Sequence, residues 1–254
     1  MKTTYKPFIL FGVTSIAIVS LFFVKRITQD ATYHAFADTR LLAHIPNAIN
    51  VLSNVLMFVV GCLGVYVTYT NKLRLGFSQA NLLFFVAILF TSIGSAYYHY
   101  NPNDNTLVWD RLPMTIAFMS FFTIVVFQFV NKTVALKLLL PHILIGLSSV
   151  IYWQTTKRLG FEDLRFYVLV QFLPLLLIVL ITLLYSDNLF KKTTWLILGC
   201  YIIAKLCEQF DDSIFKLLWF SGHSLKHLFA GIAPLVYLYY LHNEKNKTML
   251  RLNN

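Results

Sequence analysis

Residues 166–185 read FYVLVQFLPLLLIVLITLLY, a stretch without a single Asp, Glu, Lys or Arg. A helix of about 20 such residues is long enough to cross the roughly 30 Å hydrocarbon core of a bilayer. Comparable apolar stretches lie on both sides of it, at 7–24, 51–70, 80–99, 112–130, 134–153, 193–209 and 223–242. The chain has 254 residues, of which 57% are hydrophobic and only 13% charged, and its mean hydropathy is +0.65. That balance excludes an ordinary water-soluble domain. Connections are short, and neither an internal repeat nor a low-complexity tract interrupts them. The expectation is an all-α polytopic membrane protein forming a single membrane domain over 1–254, with eight spans.

The first span follows Lys2 and Lys6, and AFA at 35–37 has the small-residue spacing of a signal-peptidase site. Cleavage normally follows the apolar region closely. Here Lys25, Arg26 and a further polar stretch intervene, so 7–24 is read as a retained helix.

A net charge of +10 suggests nucleic acid only if the basic residues cluster, and they do not. They report orientation instead. With eight alternating spans, one side collects Lys2, Lys6, Lys72, Arg74, Lys132, Lys137, Lys191, Lys192, Lys245, Lys247 and Arg251. The other side holds Lys25, Arg26, Arg40, Arg111, Lys157, Arg158, Arg165 and Lys216, together with most of the acids. Because basic residues of short loops stay cytoplasmic, both termini are expected inside and the acid-rich loops outside. Cys62, Cys200 and Cys207 fall in apolar spans, form no CxxC and are read as core thiols.

The same topology sorts the seven histidines. His99 ends the third span at its outer end, in GSAYYHY; Asp110, in VWDRLP, begins the fourth at the same level; His223 and His227, in SGHSLKH, begin the eighth. His142 and His242 fall near the opposite face, whereas His34 and His44 belong to an outer loop. Residues i and i+4 share a helix face, a spacing met by His223 with His227 and by Ser95 with His99. Two imidazoles one turn apart plus a third from another helix form a set that suits zinc and leaves a coordination position open. A zinc ion so held activates water near neutral pH. Polar groups inside a span are costly and usually functional.

Other polar residues near this level allow more than one reading. Lys205 and Glu208 are three apart and read as a mutually neutralising pair. Lys226 beside the histidine face either snorkels to the interface or meets an anionic group of a substrate. Asp211 and Asp212 either cap a helix or orient a ligand histidine. Trp109, Tyr97, Tyr98 and Tyr100 read as an interfacial aromatic belt.

Ser95 and His99 in GSAYYH, Asp110 in VWDRLP, and His223 with His227 in SGHSLKH resemble the Ser, Asp and three-His pattern of the superfamily that contains alkaline ceramidases and progestin and adipoQ receptors. The resemblance is closest to alkaline ceramidases, in particular their bacterial alkaline phytoceramidase-like relatives. It also takes in YHAFADTR at 33–40 and IPNAINVLSN at 45–54. It implies a seven-helix core over 45–242, with 7–24 as an added N-terminal helix, and zinc on His99, His223 and His227. The implied activity is hydrolysis of ceramide-like N-acyl sphingoid lipids to a fatty acid and a sphingoid base. Asp110 would be the general acid–base and Ser95 the oxyanion donor. The implied location is the bacterial inner membrane, with the zinc site towards the outer face. Animal members carry an acidic calcium cluster before the first core helix; here that stretch offers only Asp30 and Asp38, with Asn47 where a glutamate is expected, so calcium is not carried over. The rival expectation is a non-catalytic zinc-containing receptor. An ion transporter is disfavoured, because the inner half of the bundle lacks a continuous polar path.

Overall fold

The computed structural model describes residues 5–71, 76–185 and 189–252. Lys2, Lys72 and Arg74, which entered the charge comparison, lie outside the described residues. All regular elements described are helical: α1 (Lys6–Ser20), a 3-10 turn (Ala31–His34), α2 (Ala48–Leu52), α3 (Val55–Thr70), α4 (Ser78–Tyr100), α5 (Asp104–Phe129), α6 (Lys132–Arg158), α7 (Arg165–Leu184), α8 (Leu189–Gln209), α9 (Asp211–Leu218) and α10 (Gly222–Leu252).

Five stretches are long and apolar enough to cross a membrane: Ala48–Thr70, Ser78–Tyr100, Asp104–Phe129, Lys132–Arg158 and Arg165–Leu184. The other three expected spans are also helical but differ in physical character. α1 has 15 residues. α8 carries Lys191, Lys192, Lys205 and Glu208, and α10 opens on His223, Lys226 and His227. Membrane residence explains the outer faces, where Phe11, Phe90, Leu140, Leu183 and Leu196 are more than half exposed. In water so much exposed apolar surface would be an association site; in lipid it is the solvent-facing side. Pro113, Pro141 and Pro174 are accommodated inside long helices, as neighbouring helices permit in bilayers.

α4 packs most extensively on α5, α10 on α8, and α3 bridges α4 to α10, whereas α7 and α8 barely touch. Small residues set the close approaches, as membrane helix packing requires. A Cβ on Gly94 of α4 would lie 2.0 Å from the carbonyl oxygen of Trp109 on α5, and one on Gly222 would lie 2.3 Å from that of Cys207 on α8. These glycines stand directly beside Ser95 and His223, so the tightest backbone contacts flank the polar end of the bundle. At the other end Phe84, Phe85, Phe121, Phe190 and Tyr237 form an interlocked aromatic core.

Two expectations need correction. Tyr97, Tyr100 and Trp109 are exposed as a belt requires, but Tyr98 is buried, with its ring against His34 and Phe36. It faces inward because its hydroxyl lies 2.9 Å from His34 Nδ1. Among the cysteines only Cys207 is buried; Cys62 lies on an exposed face of α3 and Cys200 is half-buried.

Candidate metal centre

The loop after α1 and the short α2 fold back over the ends of α4 and α10. Asn47 makes the turn into α2 in the left-handed region, at φ 47°, which Asn tolerates better than most residues. Its side-chain amide donates to the carbonyl of His99 at 2.9 Å. Asn50 accepts from Ser224 Oγ at 2.6 Å and donates to the carbonyl of Asp38 at 3.1 Å. Asp211 receives the backbone N–H of His223 at 2.9 Å, the hydroxyl of Ser221 at 2.7 Å and the N–H of Ala37 at 3.0 Å. It therefore caps the first turn of α10, the helix that carries two histidines, and answers an orphan donor that every helix start presents. Asp212 instead pairs with Lys216 on the exposed side of α9.

His99, His223 and His227 converge in this frame. Each is buried, and one ring nitrogen from each lies within 4.8 Å of the others. Nε2 of His99 and Nε2 of His227 are 3.2 Å apart, and the ring of Phe36 covers His99 and His223 at 4.6 and 4.8 Å. Ser53 Oγ lies 2.9 Å from the carbonyl of Asn50 and 2.7 Å from Nδ1 of His227. A hydroxyl that donates to that carbonyl can accept from Nδ1–H, a pairing that favours the Nδ1–H tautomer of His227. The Nε2 lone pair is then free to face the cluster, the device by which outer partners orient metal-bound imidazoles. Nδ1 of His99 is buried without a hydrogen-bond partner among the described residues. Two converging imine nitrogens and an orphaned polar atom in one dry pocket are costly unless a cation organises them. The residues therefore fit a metal ion.

Below the histidines a cavity of about 190 Å³ opens into the bundle, lined by His227, Ser95 and Asp110 together with an apolar wall that includes Met57, Phe84 and Phe121. Ser95 Oγ lies 3.5 Å from Nε2 of His227. Five side chains named from spacing and resemblance thus occupy one pocket and its roof. His142 is separate, bonded to Thr123 at 2.8 Å, and His34 is half-buried between Asp104 and the buried Tyr98. Lys205 and Glu208 do pair, and Lys226 joins them through a 2.6 Å contact with Glu208. Asp30 caps the 3-10 turn through the N–H of Thr32, and Asp38 is bound by Arg40.

Sequence reasoning missed Ser53, Asn50 and Phe36. A signal existed for the first two. Asn47, Asn50, Ser53 and Asn54 put an amide or hydroxyl on successive turns where an apolar span begins, and such groups are retained in lipid when another helix needs them. Phe36 gave none, because a loop aromatic is not tied to a partner by periodicity. No family model matches the chain, and no match is found among curated proteins.

Proposed function

We propose that this chain is a zinc-dependent integral-membrane hydrolase that cleaves the amide bond of ceramide-like N-acyl sphingoid lipids, of the kind its motifs resemble. The observation that carries the reading is a buried three-histidine cluster opening, beside Asp110 and Ser95, into an apolar cavity of a membrane bundle. A zinc ion on these imidazoles supplies a Lewis acid and lowers the pKa of water at the site. The chain's own residues supply the rest. The apolar wall takes the acyl chains and excludes bulk water. Asp110 accepts the proton that the attacking water gives up as its oxygen bonds to the carbonyl carbon. It returns that proton to the amine nitrogen as the C–N bond breaks, so one carboxylate serves as base and then acid. Ser95 donates its hydroxyl hydrogen to the carbonyl oxygen as negative charge develops there, where a preorganised donor in a dry site acts most strongly. The products are a fatty acid and a sphingoid amine. The location that goes with this reading is a bacterial inner membrane with both termini cytoplasmic and the site towards the outer face, supported by the distribution of Lys and Arg.

The test pairs metal analysis with turnover. Purified wild type, His227→Ala and Asp110→Asn are given a panel of N-acyl lipids, and released fatty acid is followed by mass spectrometry. Wild type should bind one zinc and release fatty acid. His227→Ala should lose the metal, and Asp110→Asn should keep it while losing roughly 10²–10⁴ in rate. A fully active Asp110→Asn enzyme overturns the assignment. Stoichiometric zinc with no lipid hydrolysed overturns the hydrolase reading in favour of a receptor.

A further inference from the structure

One polar group in the cavity has no role in the reaction above. Lys205 and Glu208 lie one turn apart on α8, Lys226 lies on α10, and all three line the cavity with His227 and Asp110. Glu208 receives Lys226 on one carboxylate oxygen, at 2.6 Å, and Lys205 on the other. The Lys226 and Glu208 side chains are 21% and 15% exposed, and Lys205 is 41% exposed. Two ammonium groups therefore share one carboxylate at the rim of an otherwise apolar space. Asp110, the second carboxylate lining the cavity, is committed to the metal centre in the proposed reaction. Each ammonium carries three N–H donors, more than its bond to Glu208 uses. Lys226 also reaches Nε2 of His223 at 3.3 Å.

An isolated neutral pair between α8 and α10 would need only one lysine. Both ammonium groups keep N–H donors beyond their bonds to Glu208 and line the same cavity as Ser95 and Asp110, where a lipid headgroup would lie next to the scissile bond in the proposed reaction. We propose that Lys205 and Lys226 form a headgroup subsite for an acidic oxyanion, so that the preferred substrate is an N-acyl lipid with an anionic headgroup. Glu208 holds the two ammonium groups at a common rim and competes with ligand for them. The inference rests on the hydrolase reading for the position of the amide. The same chemistry would also suit the carboxylate of a product fatty acid.

The experiment uses zinc-loaded full-length protein in nanodiscs and two non-cleavable ketone isosteres, in which CH2 replaces the amide N–H. One carries a hydroxyl headgroup, the other its phosphate ester, and free fatty acid of equal chain length forms the third arm. Wild type should bind the phosphate isostere about tenfold tighter than the hydroxyl isostere, the size of one hydrogen bond to a charged group. Lys205→Met and Lys226→Met should each remove most of that preference, and Lys205→Met should leave hydroxyl binding and metal content unchanged, whereas Glu208→Gln should widen it. Equal or tighter binding of the hydroxyl isostere by wild type overturns the subsite. So does a loss in the lysine variants that falls equally on both isosteres, which is what a purely structural tie between α8 and α10 predicts. Lysine-dependent binding of fatty acid without a phosphate preference also overturns it, and assigns the cluster to product. The corresponding amides separate the two readings. If neither releases fatty acid while the phosphate preference persists, the hydrolase reading fails and the subsite stands. If only the hydroxyl lipid is cleaved, the subsite fails and the hydrolase reading stands.

Discussion

Ser53 and His227 are 174 residues apart in the chain and 2.7 Å apart in space, and their contact selects which imidazole nitrogen faces the metal cluster. Without the Ser53 oxygen, Nδ1–H of His227 loses its acceptor, and the ring can take either tautomer or rotate. Ser53→Ala should therefore weaken metal retention by about 10-fold or more, the usual effect of losing a group that orients a ligand. The helical content should be unchanged. Competition with a graded series of chelators reads the affinity, and circular dichroism reads the fold; unchanged affinity would show that the hydroxyl is a bystander. The three clustered histidines were legible because two repeat at i, i+4 and the third sits at the depth to which topology assigns the same end of the bundle. Ser53 was not, because no spacing rule links a residue in the turn between α2 and α3 to the face of α10. Lys226 illustrates an intermediate case. Its place beside the histidine face was plain, but its partner depended on how α8 docks against α10.

At the level of elements, α1 is fastened to the bundle at one end. Arg165 donates to the carbonyls of Leu21 and Val24 at 2.8 and 2.7 Å, and the N–H of Leu164 donates to the carbonyl of Ile27 at 2.8 Å. Asp163 orients Arg165 from beside it, and the guanidinium holds the Asp163 carboxyl below its ordinary value of 3.8. A carboxyl whose folded pKa is depressed adds stability that is complete above the unfolded value and is lost as pH falls through the folded value. The fastening should therefore persist down to about pH 4 and loosen below it. Pepsin cleavage within residues 21–30 should accelerate between pH 4 and pH 2 in wild type, whereas Asp163→Asn should already be cleaved quickly at pH 4. Arg165→Ala should raise that cleavage about tenfold, because the attachment loses charge-assisted hydrogen bonds. A cleavage rate independent of both substitutions would mean that apolar contact with α7 alone holds α1. All eight expected stretches are helical, and five of them are long and apolar enough to cross a membrane; a helix is the form that satisfies every backbone group within the segment. The short α2 and α9 were hidden, since neither is long enough to show a period, and both are placed by loop contacts with the ends of other helices.

Across the whole molecule, the three-histidine cluster lies at one end of the bundle and the interlocked aromatic rings at the other. The excess of Lys and Arg on the loops opposite the site then predicts a cytoplasmic C-terminus. A C-terminal green fluorescent protein fusion should fluoresce, and the matching alkaline phosphatase fusion should be inactive; the reverse pattern would invert the orientation. The contact between Nε2 of His99 and Nε2 of His227 joins residues 128 positions apart. At ribosomal speeds of about 5–20 residues per second, roughly 6–25 s pass between the synthesis of the two. During that interval the chain already has the polar end of α4 in place but none of α10 to complete it. The cluster is thus complete only once α10 arrives, and any nascent chain released before it carries one of the three histidines alone.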